Sequence, residues 1–410
     1  PNDWDIATSA LPEDIEDIFM DLKVIKTGKR FGTVTVVVEG EPVEITTFRS
    51  EGAYLDGRRP AYVNFERNIE EDLKRRDFTI NAMAYNKYAR LIDPYGGKDD
   101  LLNGVIRCVG DAEKRFADDA LRILRAIRFK AQLGYNIDKK TFDKINSLGY
   151  KLNNISKERI TDELFKIFRA PKPSLGIACL KEAKLFDYIA PEINSIIGLK
   201  IKDLYEDVFD HTLFVVDNVA ANLETRLAAF FHDVGRPYYT DINRAAVENF
   251  RKYGDKSAAI ALDIMKRWKV SNQIINTVNI IIKEYGYLEN ICLNNNTSRK
   301  SLKKFISRVG IPNVYNIISL AKADYMCHYN DYVFEIEKHI DDILSSGEII
   351  SSKDIDINGR DIMKLGFCEG RLIGRILDDL YDIVLEDPGL NRKDILEKIV
   401  MEKYAKVKKV

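Results

Sequence analysis

The chain has 410 residues, 45% of them hydrophobic and 31% charged, with 63 basic residues against 64 acidic ones. This composition excludes collagen-like and wholly disordered proteins, and the length suffices for roughly two to four domains. The near-zero charge argues against a uniformly basic nucleic-acid coat but allows local basic surfaces. The five cysteines are scattered, without a C-x-x-C pair, so a reducing cytoplasm is expected. No apolar run approaches the ~18 to 20 residues of a membrane span, so no membrane partner is expected.

The N-terminal part of the chain mixes strand and helix patterns, whereas the remainder has mainly helical spacing. Stretches rich in Val, Ile and Thr predict strands over 3–8, 34–38 and 42–48, and a helix is predicted over 12–22. From about residue 118 apolar residues recur at helical spacing. Turn-forming residues predict breaks at 170–173, 199–203 and 345–352. We therefore expect an α+β fold with a small head followed by a helical body and tail.

Two aspartates near the start form a candidate metal site. Asp3 and Asp5 are two apart on a predicted strand, so their side chains leave the same face. Carboxylates in this arrangement can hold two divalent cations for phosphoryl or nucleotidyl transfer. Glu44, in another predicted strand, is a candidate third acid. The alternatives are turn or cap aspartates and an edge-strand glutamate that faces water.

Five short segments follow one another in an order typical of a single enzyme family. They are Asp3–Ala10 (DWDIATSA), Arg75–Met83 (RRDFTINAM), Asp93–Gly97 with Arg107, Asp118–Arg122 (DDALR) and Glu158–Ile160 (ERI). With these motifs the sequence resembles the bacterial tRNA nucleotidyltransferases, the CCA-adding enzymes of the class that includes bacterial poly(A) polymerases. The resemblance covers most of the chain.

The resemblance implies a polymerase-beta-like nucleotidyltransferase palm head followed by an elongated all-helical neck, body and tail. The implied boundaries are 1–109 for the head, 110–170 for the neck, 171–345 for the body and 346–410 for a tRNA-binding tail. The implied activity is addition of C, C and A to the tRNA 3′ end from CTP and ATP, without a nucleic-acid template. The implied cofactor is a pair of Mg²⁺ ions held by Asp3 and Asp5, and the partner is the tRNA acceptor arm.

Asp119 and Arg122 are the candidates for base selection. Three residues apart on a predicted helix, they would share a face. An aspartate accepts from the exocyclic amine of C or A while an arginine donates to the ring atom beside it, and U and G present the wrong pattern. The alternative is a helix-terminal acid and a surface ion pair.

Further nucleotide contacts are implied by the same motifs. Arginine binds phosphate bidentately, and the family's matching arginines correspond to Arg76, Arg125 and Arg128. The alternative for some of these is a long side chain extending from an amphipathic helix. Asp77 and Asn81 resemble the residues that face the ribose.

The sequence also departs from the family pattern. The G-G-x-V-R-D element that precedes the family's first motif, and cradles the triphosphate, is absent before Asp3, which predicts weak nucleotide binding and transfer by this chain. Asp118 stands where the family usually has Glu. Gly52–Pro60 resembles the family's flexible loop, which disfavours an enzyme that adds only C.

A second chemical candidate lies in the helical body. His211 and His232-Asp233-Val234-Gly235 resemble the metal motif of HD phosphohydrolases, but Tyr253 stands where that family's next histidine is expected. The alternative is a set of buried, mutually satisfied polar groups.

Lys300, Lys304 and Arg308 share one predicted helical face and are candidate tRNA phosphate contacts, with a solvated charged face as the alternative. Within the nucleotidyltransferase class, a poly(A) polymerase or an A-adding enzyme stays open. From other classes, an HD-type hydrolase and an inactive RNA-binding remnant stay open.

Overall fold

The computed structural model describes residues 5–52, 62–200, 207–239, 247–293, 298–325, 330–347 and 351–405. Asp3, most of the loop 52–60 and the lysines at the end of the chain lie outside these residues. The chain divides into two compact units, one of residues 1–194 with 267–270 and one of residues 195–266 with 271–410. The four-domain division stays a prediction. In the described part of the chain, no helix has both the length and the apolar character needed to cross a bilayer.

The first unit contains all ten described strands and nine of the described helices. The strands are β1 (Asp5–Thr8), β2 (Lys23–Ile25), β3 (Thr33–Val38), β4 (Glu41–Thr47), β5 (Arg49–Glu51), β6 (Val63–Phe65), β7 (Ala84–Asn86), β8 (Arg90–Ile92), β9 (Val105–Ile106) and β10 (Asn136–Ile137). The helices are α1 (Pro12–Ile18), α2 (Ile69–Lys74), α3 (Gly97–Leu102), α4 (Ala112–Asp118), α5 (Leu121–Leu133), α6 (Lys139–Leu148), α7 (Lys157–Phe168), α8 (Pro173–Glu182) and α9 (Phe186–Ile189).

A four-stranded sheet in the order β1-β4-β3-β2 forms the base of the head. Side chains alternate between its two faces because successive residues of a strand point in opposite directions. Val34, Val36 and Ile45 are buried on one face, where they pack with Ile15 of α1. Thr33, Thr35, Glu44 and Thr46 alternate with these apolar residues along β3 and β4 and therefore lie on the opposite face.

The outer strand β1 pairs with β4 in parallel, and the register sets Asp5 directly beside Glu44. Because register partners in a sheet project from the same face, both carboxylates leave the polar face together. The prediction that Glu44 lies on a strand is confirmed, and that strand is the one paired with the strand of Asp5.

The segment Asp93–Gly97 packs against the second motif, Arg75–Met83. Asp93 accepts hydrogen bonds from the amides of Gly97 (2.7 Å) and Lys98 (2.9 Å), which anchors the start of α3. Gly97 packs so closely that a Cβ atom there would lie 2.2 Å from the carbonyl oxygen of Thr79. The Thr79 hydroxyl in turn donates to Asp100 of α3 over 2.7 Å.

Arg107, the last residue of the Asp93–Arg107 motif, also stabilises this arrangement. Its guanidinium pairs with Asp100 (3.1 Å) and Asp138 (2.7 Å), and its carbonyl accepts from the Thr79 amide over 2.9 Å. The Asp93–Arg107 motif therefore acts on the geometry of Arg75–Met83 through packing and hydrogen bonds.

The prediction that Asp119 lies on a helix beside Arg122 is wrong. Asp119 follows the last residue of α4 and is extended, with φ −142° and ψ 106°. Its Oδ1 accepts from the amide of Leu121, the first residue of α5, over 3.0 Å. Aspartate favours this position because its short side chain satisfies a free amide at a helix start.

The second unit is helical throughout its described part. Its helices are α10 (Val208–Asn218), α11 (Leu223–Phe231), α12 (Val247–Arg267), α13 (Asn272–Leu293), α14 (Arg299–Val309), α15 (Ile311–Tyr325), α16 (Asn330–Ser345), α17 (Gly359–Lys364), α18 (Arg371–Glu386) and α19 (Lys393–Tyr404). Buried apolar residues of α17, α18 and α19 form a separate core cluster that includes Ile362, Ile376 and Leu396.

Most predicted boundaries agree with the observed ones to within two residues. The strand predictions correspond to β1, β3 and β4, and the break at 170–173 separates α7 from α8. The first helix ends at Ile18 rather than residue 22, because Phe19 has already left the helical region with φ −107° and ψ 28°. The predicted break at 199–203 lies largely outside the described residues. The expected α+β head with a helical remainder is confirmed.

The contact at Gly97 yields a stability prediction. Gly97→Ala should lower the free energy of unfolding by about 1 to 3 kcal/mol, because the added methyl group overlaps a backbone oxygen and the turn must shift. The matched control is Gly374→Ala within α18, where no atom lies within 4 Å of the added Cβ. Alanine is favoured in helices, so this control should be neutral or slightly stabilising. Urea titrations of both variants provide the measurement, and equal midpoints would contradict the prediction.

Candidate nucleotide site

An open cavity of about 520 Å³ lies in the first unit, above the polar face of the sheet. This volume is within the usual range for small-molecule sites. Its charged lining consists of four acids and six arginines, so positive charge is in excess, as an anionic ligand requires. They are Asp5, Glu44, Asp77, Asp119, Arg49, Arg75, Arg76, Arg122, Arg125 and Arg159.

The two strand carboxylates form the floor of this cavity. Asp5 and Glu44 are joined there by Thr46, two residues beyond Glu44 on the same face of β4. The Thr46 hydroxyl is 3.1 Å from that of Thr33 on β3. Arg76 lies beside Asp5, with Nη2 3.7 Å from Oδ2. Oxygen ligands of this kind suit Mg²⁺, so the residues present fit a magnesium site.

Asp119 and Arg122 meet at the cavity although they do not share a helix. The second carboxylate oxygen of Asp119 is 2.7 Å from a guanidinium nitrogen of Arg159 on α7. Arg122 donates to the carbonyl oxygens of Arg115 (3.2 Å) and Arg75 (3.0 Å). A guanidinium has five N–H donors, so these two bonds orient the Arg122 fork and leave donors for a ligand.

The second motif contributes residues beside this pair. Asn81 donates to Asp77 Oδ1 over 3.3 Å, and Arg125 donates from Nε to Asp77 Oδ2 over 2.6 Å. Arg76 donates to the carbonyl oxygen of Asn81 over 3.3 Å. Asp77, Asn81, Arg76 and Arg125 are therefore brought together at the cavity, as expected from the sequence.

Arg128 is the nucleotide candidate that the structure does not bring to this cavity. Its guanidinium lies 3.1 Å from the buried Glu163 of α7 and 4.4 Å above the Phe129 ring. Burial lowers its pKa. An α-helix advances 100° per residue, so a spacing of three drifts by about 60° per step. Two steps therefore turn Arg128 well away from the face that carries Arg122.

Three arginines that line the cavity were not predicted from the sequence. Arg159 belongs to the Glu158–Ile160 motif, and Arg75 is adjacent to Arg76, so the motifs themselves contained this signal. Arg49 is the first residue of β5, two residues beyond the end of β4, and belongs to none of the quoted motifs. Burial, and secondarily the charge of Arg75, lowers the pKa of the Arg49 guanidinium.

Two histidines of the second unit belong to a separate buried cluster. His211, His232 and Asp233 come together with Asp324 of α15, which was not predicted from the sequence. Burial raises the pKa of Asp324, but the histidines outweigh burial and hold it well below its usual range. Tyr253, which stands where the next histidine is expected, has its ring against Arg236, with 5.1 Å between the guanidinium carbon and the ring centre.

The three basic residues predicted to contact tRNA lie on α14, and each is paired with a carboxylate. Lys300 pairs with Glu386, Lys304 with Asp382 over 2.5 Å, and Arg308 with Glu284 over 2.6 Å. A phosphate would therefore have to replace or share these partners. The RNA contact stays a prediction.

Three family profiles match successive parts of the chain. They are described as "Poly A polymerase head domain" over residues 1–107, "Probable RNA and SrmB- binding site of polymerase A" over residues 134–197, and a domain 2 of tRNA nucleotidyltransferase over residues 255–400.

Among curated proteins, the chain is similar to the CCA-adding enzyme of Leuconostoc mesenteroides, with 32% identity over 404 residues, 98% of this chain and 88% of the relative. A shorter match, 47% identical over 187 residues, joins 46% of this chain to 46% of the CCA-adding enzyme of Geobacillus stearothermophilus.

Among solved structures, the chain is similar to a Bacillus stearothermophilus CCA-adding enzyme crystallised with CTP. The TM-score is 0.73 at 28% identity, covering 99% of this chain and 89% of that one. A Thermotoga maritima CCA-adding enzyme complexed with tRNA, at 22% identity and a TM-score of 0.58, shares the fold. Together with the nearly full-length match to the Leuconostoc relative, these findings establish that the chain belongs to the CCA-adding enzyme family.

Proposed function

We propose that this protein adds C, C and A to the 3′ end of tRNA from CTP and ATP, selecting each nucleotide with protein side chains. The observation that carries the proposal is one cavity containing both a paired-carboxylate floor and the Asp119–Arg122 pair. The excess of arginines over acids in its lining suits a triphosphate.

The proposed cofactor is Mg²⁺, held by Asp3 and Asp5, the pair that the motif implies, with Glu44 beside Asp5 as the third acid. When bound between such carboxylates, metal ions stabilise the attacking and leaving oxygens of a nucleotidyl transfer. Arg76 and Arg125, beside this floor, are proposed to bind and orient the triphosphate. Asp77 and Asn81 are proposed to face the ribose.

Base selection is proposed to follow from the fixed orientation of Asp119 and Arg122. Arg159 and the Leu121 amide hold both carboxylate oxygens of Asp119, and two carbonyls hold the Arg122 fork. The remaining lone pairs and N–H groups offer an acceptor beside a donor. C and A present the complementary donor and acceptor, whereas U and G do not.

The direct test is incubation of tRNA that lacks its CCA end with single nucleotides and their mixtures. CTP alone should extend the tRNA by two residues and CTP with ATP by three, whereas UTP or GTP should be added far more slowly, as resolved on a sequencing gel. A long ladder of products from ATP alone would indicate a poly(A) polymerase. Extension only of tRNA that already ends in CC would indicate an A-adding enzyme.

Glu44→Gln should lower kcat about a hundredfold or more, because the variant keeps its shape but loses a carboxylate of the metal site. The control is Glu41→Gln, in the same strand but on the opposite face of the sheet, which should leave kcat unchanged. Equal rates for the two variants would remove Glu44 from the site.

We further propose that Lys300, Lys304 and Arg308 bind tRNA phosphates in competition with their carboxylate partners. Replacing all three with Gln should reduce the salt slope of tRNA binding by about one per lost phosphate contact. The reciprocal control is Asp382→Asn with Glu386→Gln, which frees both lysines and should tighten binding. An unchanged slope in the triple variant would contradict the proposal.

For the buried cluster we propose binding of one first-row divalent ion, such as Zn²⁺ or Mn²⁺. His211 Nε2 lies 2.6 Å from Asp324 Oδ1 and 3.8 Å from Asp233 Oδ2, and His232 Nε2 lies 3.4 Å and 3.9 Å from Asp233 and Asp324. Atoms this close can share a cation at the usual bond lengths of about 2.0 to 2.2 Å.

The outer atoms of these side chains are held in place, which supports the same proposal. His232 Nδ1 lies 2.7 Å from the Ala229 carbonyl, so its Nε2 is the nitrogen available for an ion. Arg236 holds Asp233 over 2.6 Å, and the Tyr285 hydroxyl donates to Asp324. All four candidate ligands are only 1 to 2% exposed, so the proposed role is to tie helices together rather than to hydrolyse a substrate.

Dialysis against Zn²⁺ or Mn²⁺, followed by elemental analysis, should find about one ion per chain and a raised thermal midpoint that EDTA reverses. His232→Ala should abolish both effects. His339→Ala is the control, because this exposed histidine lies outside the cluster. If the dialysed protein contained no Zn²⁺, Mn²⁺ or Mg²⁺, the proposal would be contradicted. The four side chains would then form a network of ion pairs without a metal.

A further inference from the structure

Glu51, the last residue of β5, lies beneath the cavity without lining it. Its side chain is only 8% exposed, yet its Oε1 contacts two guanidiniums, Arg75 over 2.9 Å and Arg49 over 3.2 Å. Both arginines line the cavity, whereas Glu51 is absent from the lining. A single buried carboxylate oxygen thus joins two half-buried cations.

The negative charge of Glu51 offsets the repulsion between the guanidiniums of Arg49 and Arg75, which are both largely buried. Two unit charges within a few ångströms repel more strongly where water is largely excluded. Asp72 offsets part of this repulsion by accepting from Arg75 over 2.8 Å and from the Arg49 amide over 3.3 Å. Without the charge of Glu51, Asp72 would still bind the guanidinium of Arg75 but only the backbone amide of Arg49, so the two guanidiniums would move apart.

Movement of Arg75 matters because of its main chain. The Arg75 carbonyl accepts a hydrogen bond from Nη2 of Arg122 over 3.0 Å and is one of the two carbonyls that orient that fork. The path from Glu51 to Arg122 therefore consists of one ion pair and one hydrogen bond. No ligand contact by Glu51 is required.

We propose that Glu51 is a positioning residue for nucleotide selection, which holds Arg75 so that the Arg75 carbonyl fixes the Arg122 fork. This inference rests on the proposed function, because it assigns base reading to Arg122. It adds that discrimination between nucleotides depends on a carboxylate that touches neither the base nor the triphosphate.

The test is Glu51→Gln, which keeps the shape of the side chain and removes its charge. The ratio of kcat/KM for CTP to that for UTP should fall about tenfold, since a charged hydrogen bond to Arg75 is lost while Asp72 retains part of the hold on that residue. Glu51→Asp retains the charge and should restore part of the ratio. A merely structural role would lower both rates equally and leave the ratio unchanged.

The matched control is Glu66→Gln, a carboxylate next to the paired strand β6 that accepts from Ser50 over 2.6 Å. It contacts neither Arg49 nor Arg75 among the hydrogen bonds of the described residues, and its CTP to UTP ratio should equal that of the parent. Equilibrium binding of CTP and UTP to the same variants gives a second readout that does not require turnover.

The outcomes separate the two proposals. A parent protein that adds no C to tRNA would overturn the proposed function itself. A parent protein that selects C, combined with an unchanged ratio in Glu51→Gln by both rate and binding, would overturn the role of Glu51 alone.

Discussion

The parallel pairing of β1 with β4 is the constraint on which the candidate site depends. A shift of one residue in this register would turn Asp5 or Glu44 toward the apolar face, where Ile45 packs with Val34 and Ile15. The hydrophobic face therefore fixes the polar one. Burial of these apolar residues determines the register, and the register determines which carboxylates meet.

Charge inside the first unit is organised as local networks rather than as a uniform surface. Each arginine that lines the cavity and reads or binds a ligand in the proposed function is held by a carboxylate or a backbone carbonyl, as Arg125 is by Asp77 and Arg159 by Asp119. Such preorganisation limits the loss of side-chain entropy when an anion binds. It also explains how a chain with a net charge of −1 can present a cationic cavity.

The sequence predicted the parts of this site that depend on local pattern. The Val-, Ile- and Thr-rich stretches predicted the strands β1, β3 and β4, and the motifs assigned Asp77, Asn81 and Asp119 to the nucleotide contacts that share one cavity in the structure. It failed where a single residue breaks a regular element, because Asp119 caps α5 from an extended backbone instead of continuing a helix. It also failed for Asp324, which joins His211 from far along the chain and belongs to no short motif. Partners of that kind are set by helix packing, which spacing in sequence does not encode.

Several residues that determine the cavity do not line it. Gly97 sets the position of Thr79 by allowing two backbones to approach, and Glu51 sets that of Arg75 by its charge. Both act on the segment Arg75–Met83, Glu51 at its first residue and Gly97 at Thr79 in its middle. That segment carries Arg76, Asp77 and the carbonyl bound by Arg122, so in the proposed function a small displacement at either point would alter contacts to phosphate, ribose and base together. The proposal thus assigns selectivity partly to how the second motif is held, and not only to the side chains that face the ligand.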